Sequence, residues 1–390
     1  SGDVSVGSVQ ATGDRVTVHA AAELDGSGLT ADEAVLSAGS DIGSAGTPFG
    51  TEVSTLDAVT GAGDMYITNT GALVLDDLNT DAKSLDGAGG GEIVASSPLT
   101  VSSAVSQGDD FSVVAGDSSS GTTSDDLTID ADVTHTGGGT ITLQAGDDII
   151  HDSGTITSAG GTVEFVADNE GGSVGDGFRG GVAQNGGALA TGTVDFTAEE
   201  AVSYTAGSND ADILNGTVGS GSLSYADTDD IAMGSVSAGG AVDITSGGSI
   251  TDSADDAVVD VDAGDLITLT ADGDIDGPDA DGSGPDDTYL DLASGSTVDA
   301  SSTSGGRINL RGGGALTLQD VDTADGAVDV SAAGQITASD VESLTDAEPN
   351  DIRLTSTGGG IEAGLVDAGS VGDVTLDAQG GAIGQDGTDD

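Results

Sequence analysis

The chain has 390 residues, of which 67 are Gly, 69 are acidic and only 6 are Lys or Arg, so its formal net charge is −63. A charge of this sign and size repels nucleic acids and anionic lipid surfaces. The absence of Cys excludes disulfides, thiolate metal sites and cysteine nucleophiles. No apolar run reaches the roughly 18 residues of a membrane helix, so membrane insertion is not expected.

The composition has features of both disordered and folded proteins. Only 2% of the residues are aromatic, which together with the net charge is typical of disordered proteins. The 36% apolar residues, however, occur in short and orderly runs of Val, Ile, Leu and Ala. The acids are 58 Asp and 11 Glu, and Asp prefers turns whereas Glu favours helices. The sequence therefore predicts a folded, all-β chain with many turns.

Short predicted strands recur along the chain at a nearly constant spacing. Residues 141–143 and 163–165 are 22 residues apart. In the second half, similar strands are predicted at 223–225, 242–244, 267–269, 290–292, 308–310, 328–330, 352–354 and 374–376. A fixed period in this range is typical of a solenoid.

Each period of about 22 residues contains three short apolar runs separated by Gly or Asp. This order predicts one coil of a three-faced parallel β-helix, with Val, Ile and Leu inside and Asp, Thr and Ser outside. An antiparallel β-sandwich array is the alternative, but Asn-Gly hairpin turns are scarce. We expect one continuous β-solenoid over residues 1–390, whose ends without a capping helix favour either end-to-end assembly or a fragment or repeat unit of a longer chain. Loop excursions are predicted near 43–63, 171–187 and 276–288.

Several phrases resemble the repeats of a known family. Residues 39–43, 64–73 and 161–165 are similar to repeats of filamentous-haemagglutinin-like adhesins and related β-strand-repeat bacterial surface proteins. The resemblance covers most of the chain but concerns the general pattern of the repeats more than a specific motif. The amino-terminal secretion module that marks the two-partner-secreted members is not evident. It implies a right-handed parallel β-helix, secretion and a structural or adhesive role, and it brings no catalytic residues.

Enzymatic chemistry finds little support in the residues. Asp pairs such as Asp147-Asp148 are expected at solvated turns, because 58 Asp generate pairs by chance. Arg307 and Arg311 flank a predicted strand and are expected to form salt bridges with nearby Asp. His151 beside Asp152 could mimic a base with its orienting carboxylate, but no nucleophile motif accompanies it. We therefore predict no enzyme, and a β-helical carbohydrate-active enzyme remains the weakest alternative.

Calcium is the cofactor that the sequence suggests. The densest acidic stretch begins with Asp at alternate positions followed by Gly, as in the first half of an EF-hand loop. Its twelfth position is Ser283, where a bidentate acid is required, so the interpretation is a calcium loop of another kind or a solvated acidic loop. The predicted metal ligands are Asp272, Asp274, Asp276, Asp279 and Asp281.

The charge itself suggests cations as partners. Stacked coils align like charges, and their repulsion destabilises the fold unless cations screen it. A halophilic source and a cation-stabilised extracellular fibre both fit. The leading hypothesis is an extracellular or cell-surface, non-enzymatic adhesin or fibre component, which could bind a glycan or protein receptor. The alternative is a filament subunit that polymerises end to end with copies of itself through open solenoid ends.

Overall fold

The computed structural model describes residues 2–79, 81–117, 125–168, 180–254, 258–276, 289–345 and 350–385. All regular structure in these ranges is β-strand, and the named strands pair in parallel. The chain forms a parallel β-solenoid of about 16 coils with about 22 residues each, which confirms the predicted fold class. Within the described ranges there is no helix with the length and apolarity of a membrane span.

Contacts divide the chain into two compact units, Ser1–Asn209 and Asp210–Asp390. The strands up to residue 204, numbered β1 to β21 in chain order, are Val4–Val6, Val9–Ala20, Leu24–Gly26, Leu29–Ala38, Phe49–Glu52, Thr55–Thr60, Met65–Asn69, Leu73–Leu75, Lys83–Asp86, Gly91–Ala95, Leu99–Val101, Ala104–Gln107, Phe111–Ala115, Leu127–Ile129, Val133–His135, Thr140–Ala145, Ile149–His151, Thr155–Val166, Val182–Gln184, Ala188–Ala198 and Val202–Tyr204.

The remaining strands are numbered β22 to β39. They are Ser208–Val218, Leu223–Asp227, Ile231–Ala238, Val242–Ser246, Ile250–Asp252, Val261–Ala263, Leu266–Ala271, Ile275–Asp276, Leu290–Leu292, Thr297–Ser302, Ile308–Gly312, Leu316–Thr323, Val328–Ala332, Ile336–Ser343, Ile352–Ser356, Ile361–Asp367, Val374–Ala378 and Ile383–Gln385. All eight strands predicted in the second half of the sequence are present.

In the first unit, successive coils add one strand to each of three ladders. One ladder joins β7, β10, β13, β16 and the second halves of β18 and β20. Another joins β8, β11, β14, β17, β19 and β21. The third joins β9, β12, β15 and the first halves of β18 and β20. The three short runs of each sequence period therefore become the three faces of a coil.

The register places apolar side chains of successive coils directly over one another. The stack on the first ladder consists of Ile67, Ile93, Val113, Leu143, Phe165 and Phe196, all of them buried. Strand alternation points these side chains inward and their neighbours outward. Each such side chain contributes roughly 1.5–3 kcal/mol by leaving water, so the stacks supply the continuous core that a single coil lacks.

The second unit repeats this arrangement in its own ladders. One continuous stack on β26, β29, β32, β34 and β36 consists of Ile250, Ile275, Ile308, Val328 and Ile352, all fully buried. In the next coil, Val374 of β38 is 45% exposed and Ile383 of β39 is 53% exposed, because no further coil covers them among the described residues.

The predicted excursions have different outcomes. Residues 43–63 contain strands β5 and β6, so much of this segment belongs to the coils and the connection is shorter than expected. Within 171–187, residues 182–184 form β19, and residues 171–179 lie outside the described ranges. Residues 277–288 of the third excursion also lie outside them.

Hydroxyl side chains at one corner of the coil bind glycine carbonyls. The Ser302 hydroxyl donates to the Gly273 carbonyl at 2.8 Å, and the Thr323 hydroxyl donates to the Gly306 carbonyl at 2.6 Å. Ser302 and Thr323 are register partners in neighbouring coils and both are fully buried. A backbone carbonyl removed from water needs a donor, so Ser and Thr are favoured at this corner, although Ala271 is the register partner of Ser302 in the preceding coil.

Removal of the Thr323 hydroxyl should destabilise the second unit. Thr323→Val keeps the shape of the side chain but deprives the Gly306 carbonyl of this donor, at a cost of about 1–3 kcal/mol. Thr317→Val on the same strand is the matched control, since Thr317 is only half-buried, and its effect should stay within about 0.5 kcal/mol. Chemical denaturation measures both, and equal losses in the two variants would contradict the role of the corner hydroxyl.

Candidate metal centre

The sequence-predicted calcium ligands that the structure describes are each engaged by a group of the protein, and Asp274 and Asp276 share one partner residue, Arg307. Asp272 is exposed and accepts a hydrogen bond from the Thr303 hydroxyl at 2.5 Å. Asp274 accepts the Arg307 backbone N–H at 2.8 Å. Asp276 is buried and pairs with the Arg307 guanidinium. Asp279 and Asp281 lie outside the described residues, so a calcium loop formed by all five stays a prediction.

Three other carboxylates of the second unit converge. Asp252 ends β26, Asp260 immediately precedes β27, and Asp291 lies in β30. All three are buried, at 2–4% exposure, and one potential ligand atom of each lies within 4.8 Å of the other two. We call these residues the Asp252–Asp260–Asp291 trio. Sequence reasoning missed the trio because no local motif links positions that lie in or next to three different strands.

Hydrogen bonds hold the trio in place. The backbone N–H of Asp291 donates to Asp260 Oδ2 at 2.7 Å, and the backbone N–H of Asp260 donates to the Asp291 carbonyl at 2.9 Å. The Ala254 N–H donates to Asp252 Oδ1 at 2.8 Å. Arg311 forms a bidentate pair with the Asp291 carboxylate, with its Nε 2.6 Å from Oδ1. Backbone register and one arginine therefore fix the positions of the carboxylates.

The environment favours the neutral form of Asp260. Burial, together with the neighbouring Asp252 and Asp291 carboxylates, raises the pKa of Asp260 to about 8 against the lowering effect of the Asp291 N–H. Near neutral pH the Asp260 carboxyl therefore keeps a proton. A divalent cation could take the place of that proton, because it would offset the same crowded negative charge.

The chemistry of the trio suits hard cations. Calcium and magnesium bind carboxylate and carbonyl oxygens, and calcium takes 6–8 of them. The trio offers carboxylate oxygens only, so a bound calcium ion would need further oxygens from backbone or water. Asp252, Asp260 and Asp291 are the residues of the described part that could hold such an ion.

The arginines next to the predicted strand are paired as expected. Arg307 binds Asp276 and Arg311 binds Asp291, on either side of the strand core 308–310. Burial raises the pKa of Asp276 to about 6, against the lowering effect of Arg307. The predicted local salt bridges are therefore confirmed, and they place cationic side chains beside buried acids.

His151 is a core residue. Its Nδ1 lies 2.7 Å from the Tyr204 hydroxyl and its Nε2 3.3 Å from the Gly154 carbonyl. Tyr204 in turn contacts the stacked rings of Phe165 and Phe196, with ring centroids 5.2 and 5.4 Å away. Burial lowers the pKa of His151. The imidazole therefore contributes to packing and to a buried hydrogen bond.

Outward-facing acids of the second unit also stack in register. Asp322 of β33 pairs with Glu342 of β35, which pairs with Asp367 of β37. Partial burial raises the pKa of Asp322 and of Glu342, and neighbouring carboxylates raise both further. Like charges opposite one another destabilise a sheet, so this surface favours bound or diffuse cations.

Asp260→Asn should reduce the decrease in unfolding free energy that accompanies rising pH. Folded Asp260 keeps its proton up to a pKa of about 8, whereas the unfolded carboxyl has its ordinary value of 3.8. The stability due to this proton therefore falls as the pH rises from about 4 to about 8. Asn mimics the protonated acid, so the variant in EDTA should be more stable than the wild type by about 1–3 kcal/mol near pH 9.

The control for this experiment is Asp262→Asn, which alters an exposed acid on β27. Its unfolding free energy should follow the wild-type pH curve between about pH 6.5 and 9. Calcium added at about pH 8 should stabilise the wild type and Asp262→Asn, because it binds the folded state, but not Asp260→Asn. Parallel pH curves for wild type and Asp260→Asn would contradict the role of the trio.

Comparison of the chain with protein-family models, with curated proteins and with solved structures gave no match. Its function is therefore inferred from the position, burial and charge of its own side chains.

Proposed function

We propose that this chain is a non-enzymatic structural and adhesive element of an extracellular or cell-surface protein, of the filamentous-haemagglutinin-like kind. The observation that carries the proposal is the in-register stacking of coils, with buried aliphatic side chains inside and polar and acidic ones outside. Such a ladder repeats its outer side chains about every 4.8 Å. A regular outer surface of this kind suits multivalent attachment to a matrix or a cell.

Cations belong to this proposal as partners. The formal charge of −63 is carried mainly by Asp, and stacked acids such as Asp322 and Glu342 raise the free energy of the folded state. Extracellular calcium or high salt would relieve that repulsion. The Asp252–Asp260–Asp291 trio supports calcium as a specific ligand beyond general screening.

A filament subunit is the second candidate. Val374 and Ile383 are exposed, whereas the stacked counterparts Ile352 and Ile361 are fully buried. Another coil placed on this surface would bury them and complete the ladder. That coil could come from the same polypeptide or from a second copy, and only the second copy would make a filament.

Electron microscopy should distinguish these roles. Immunogold labelling with antibodies against the chain should mark the surface of intact cells that make the protein, and Fab fragments of the same antibodies should reduce attachment of those cells to their substratum. Label confined to lysed cells would contradict the proposal.

Negative-stain images of the purified chain distinguish the adhesive element from the filament subunit. Isolated particles favour the adhesive element, and long uniform fibres favour the filament subunit.

A further inference from the structure

A groove of about 450 Å³ opens on the surface of the first unit. It is lined by Asp64, Tyr66, Asp109, Asp110 and His135 and by six glycines from neighbouring turns. It is separate from the Asp252–Asp260–Asp291 trio, which belongs to the second unit. The groove therefore needs its own explanation.

The groove lies where the corner pattern of the solenoid is broken. Four register partners in successive coils occupy this corner: Gln107, His135, Ser158 and Thr191. Ser158 and Thr191 donate to the carbonyls of Gly139 and Gly161, as at the corner of the second unit. Gln107 and His135 replace the small hydroxyl residues in two consecutive coils, and only His135 of these two lines the groove.

The substituted side chains have polar atoms without hydrogen-bond partners in the described part of the chain. Both amide atoms of Gln107 and the Nε2 of His135 are buried and have no such partner. Gln107 is 2% exposed and His135 4%. An unpaired buried polar group costs about 1–3 kcal/mol, so replacing a satisfied Ser or Thr by these residues is unfavourable unless something else binds them.

The hydrogen bonding of His135 shows which of its ring nitrogens can donate a hydrogen bond to a ligand in the groove. Its Nδ1 accepts the Gly137 backbone N–H at 3.0 Å, which leaves Nε2 as the nitrogen that carries the ring N–H. Nε2 is 3.4 Å from Asp110 Oδ1, a side chain that is 75% exposed and lines the groove. A ligand oxygen that takes the place of this exposed carboxylate would accept the Nε2–H from the groove side.

Glycine is required around this donor. A Cβ at Gly139 would collide with Asp110 Oδ1 and with His135 Nε2, and one at Gly137 would lie 2.6 Å from the Gly108 carbonyl. The absence of side chains at these positions leaves the imidazole and the Asp110 carboxylate at the groove surface.

The donors and acceptors of the groove select the chemistry of a ligand. Asp64 and Asp110 each use Oδ1 to accept a backbone N–H, from Gly90 at 3.1 Å and from Thr140 at 2.7 Å. Their carboxylates retain further lone pairs and can accept hydrogen bonds from a ligand. An anion is repelled by them. An ammonium group only donates and cannot satisfy the Nε2–H. A hydroxyl group both donates and accepts, so it suits both kinds of partner.

We propose that this groove binds a neutral carbohydrate, whose hydroxyl groups accept from His135 Nε2–H and donate to the carboxylates of Asp64, Asp109 and Asp110. Tyr66 adds an aromatic ring, whose apolar surface suits the C–H groups of a sugar. The inference gives the proposed adhesive role a ligand class. It can fail while that role stands, since attachment could use another surface.

The test is an NMR titration of the purified full chain with cellohexaose, maltohexaose and α-1,6-mannohexaose. At least one of them should shift the backbone amide signals of Gly137–Gly139 and the His135 Nε2–H signal, with a dissociation constant in the millimolar range or tighter. Spermine and trigalacturonate are the cationic and anionic comparison probes, and neither should compete with the sugar at these signals.

Two variants and one matched control accompany the titration. Asp110→Asn should weaken sugar binding about tenfold or more, because a hydrogen bond to a charged acceptor is lost. Asp132→Asn should leave binding unchanged, since Asp132 is also exposed and accepts a backbone N–H, from Thr155 at 2.8 Å, outside the groove. His135→Ser restores the corner pattern and should abolish binding while the thermal melt stays cooperative.

Three results would overturn the inference. The first is the absence of shifts with all three oligosaccharides at about 10 mM, which corresponds to binding weaker than any useful affinity. The second is binding of spermine at these signals without sugar binding, which would make the groove a cation site. The third is sugar binding that survives both Asp110→Asn and His135→Ser, which would place the ligand elsewhere. Cell attachment, measured separately, distinguishes failure of this inference from failure of the adhesive role.

Discussion

The structure depends on one constraint, the in-register parallel stacking of coils. Each residue pairs with the equivalent residue of the next coil, as Ile141 does with Val163 and Val163 with Val194. No coil can bury its own apolar face, so the core exists only because apolar positions coincide from coil to coil. The same register repeats every other property of a position, including its charge and its hydrogen bonding.

Because each position is repeated from coil to coil, the sites that stand out are of two kinds. In one kind the repetition raises the free energy of the folded state, and in the other the repetition is interrupted. Stacked acids such as Asp322 and Glu342 repel each other, and the buried trio confines three carboxylates where one must keep a proton or meet a cation. At the hydroxyl corner, Gln107 and His135 give up satisfied hydrogen bonds beside an open groove. Both departures reduce stability locally, which is how ligand sites commonly differ from the scaffold around them.

The sequence period predicted the fold class and coil length because apolar spacing and turn chemistry are local properties. Register over longer distances was not predictable. The predicted strands at 290–292 and 308–310 look like successive members of one series, yet Leu290 pairs with Leu310 whereas Ile308 continues the stack from Ile275. The trio brings Asp252 close to Asp291 although the two residues are distant in the sequence, so only the strand register reveals the trio. Gln107 and His135 are recognisable only once Ser158 and Thr191 are known to share their corner.

The most direct test of the register uses the absence of Cys in the chain. Thr245 and Thr270 are Cα partners on neighbouring strands, whereas Thr268 is the partner of Asp243, two residues earlier. Parallel neighbours lie about 4.8 Å apart, within the Cα distance that a disulfide spans. Under mild oxidation Thr245→Cys/Thr270→Cys should form an intramolecular disulfide, and Thr245→Cys/Thr268→Cys should not. Equal or preferential crosslinking of the slipped pair would contradict in-register stacking.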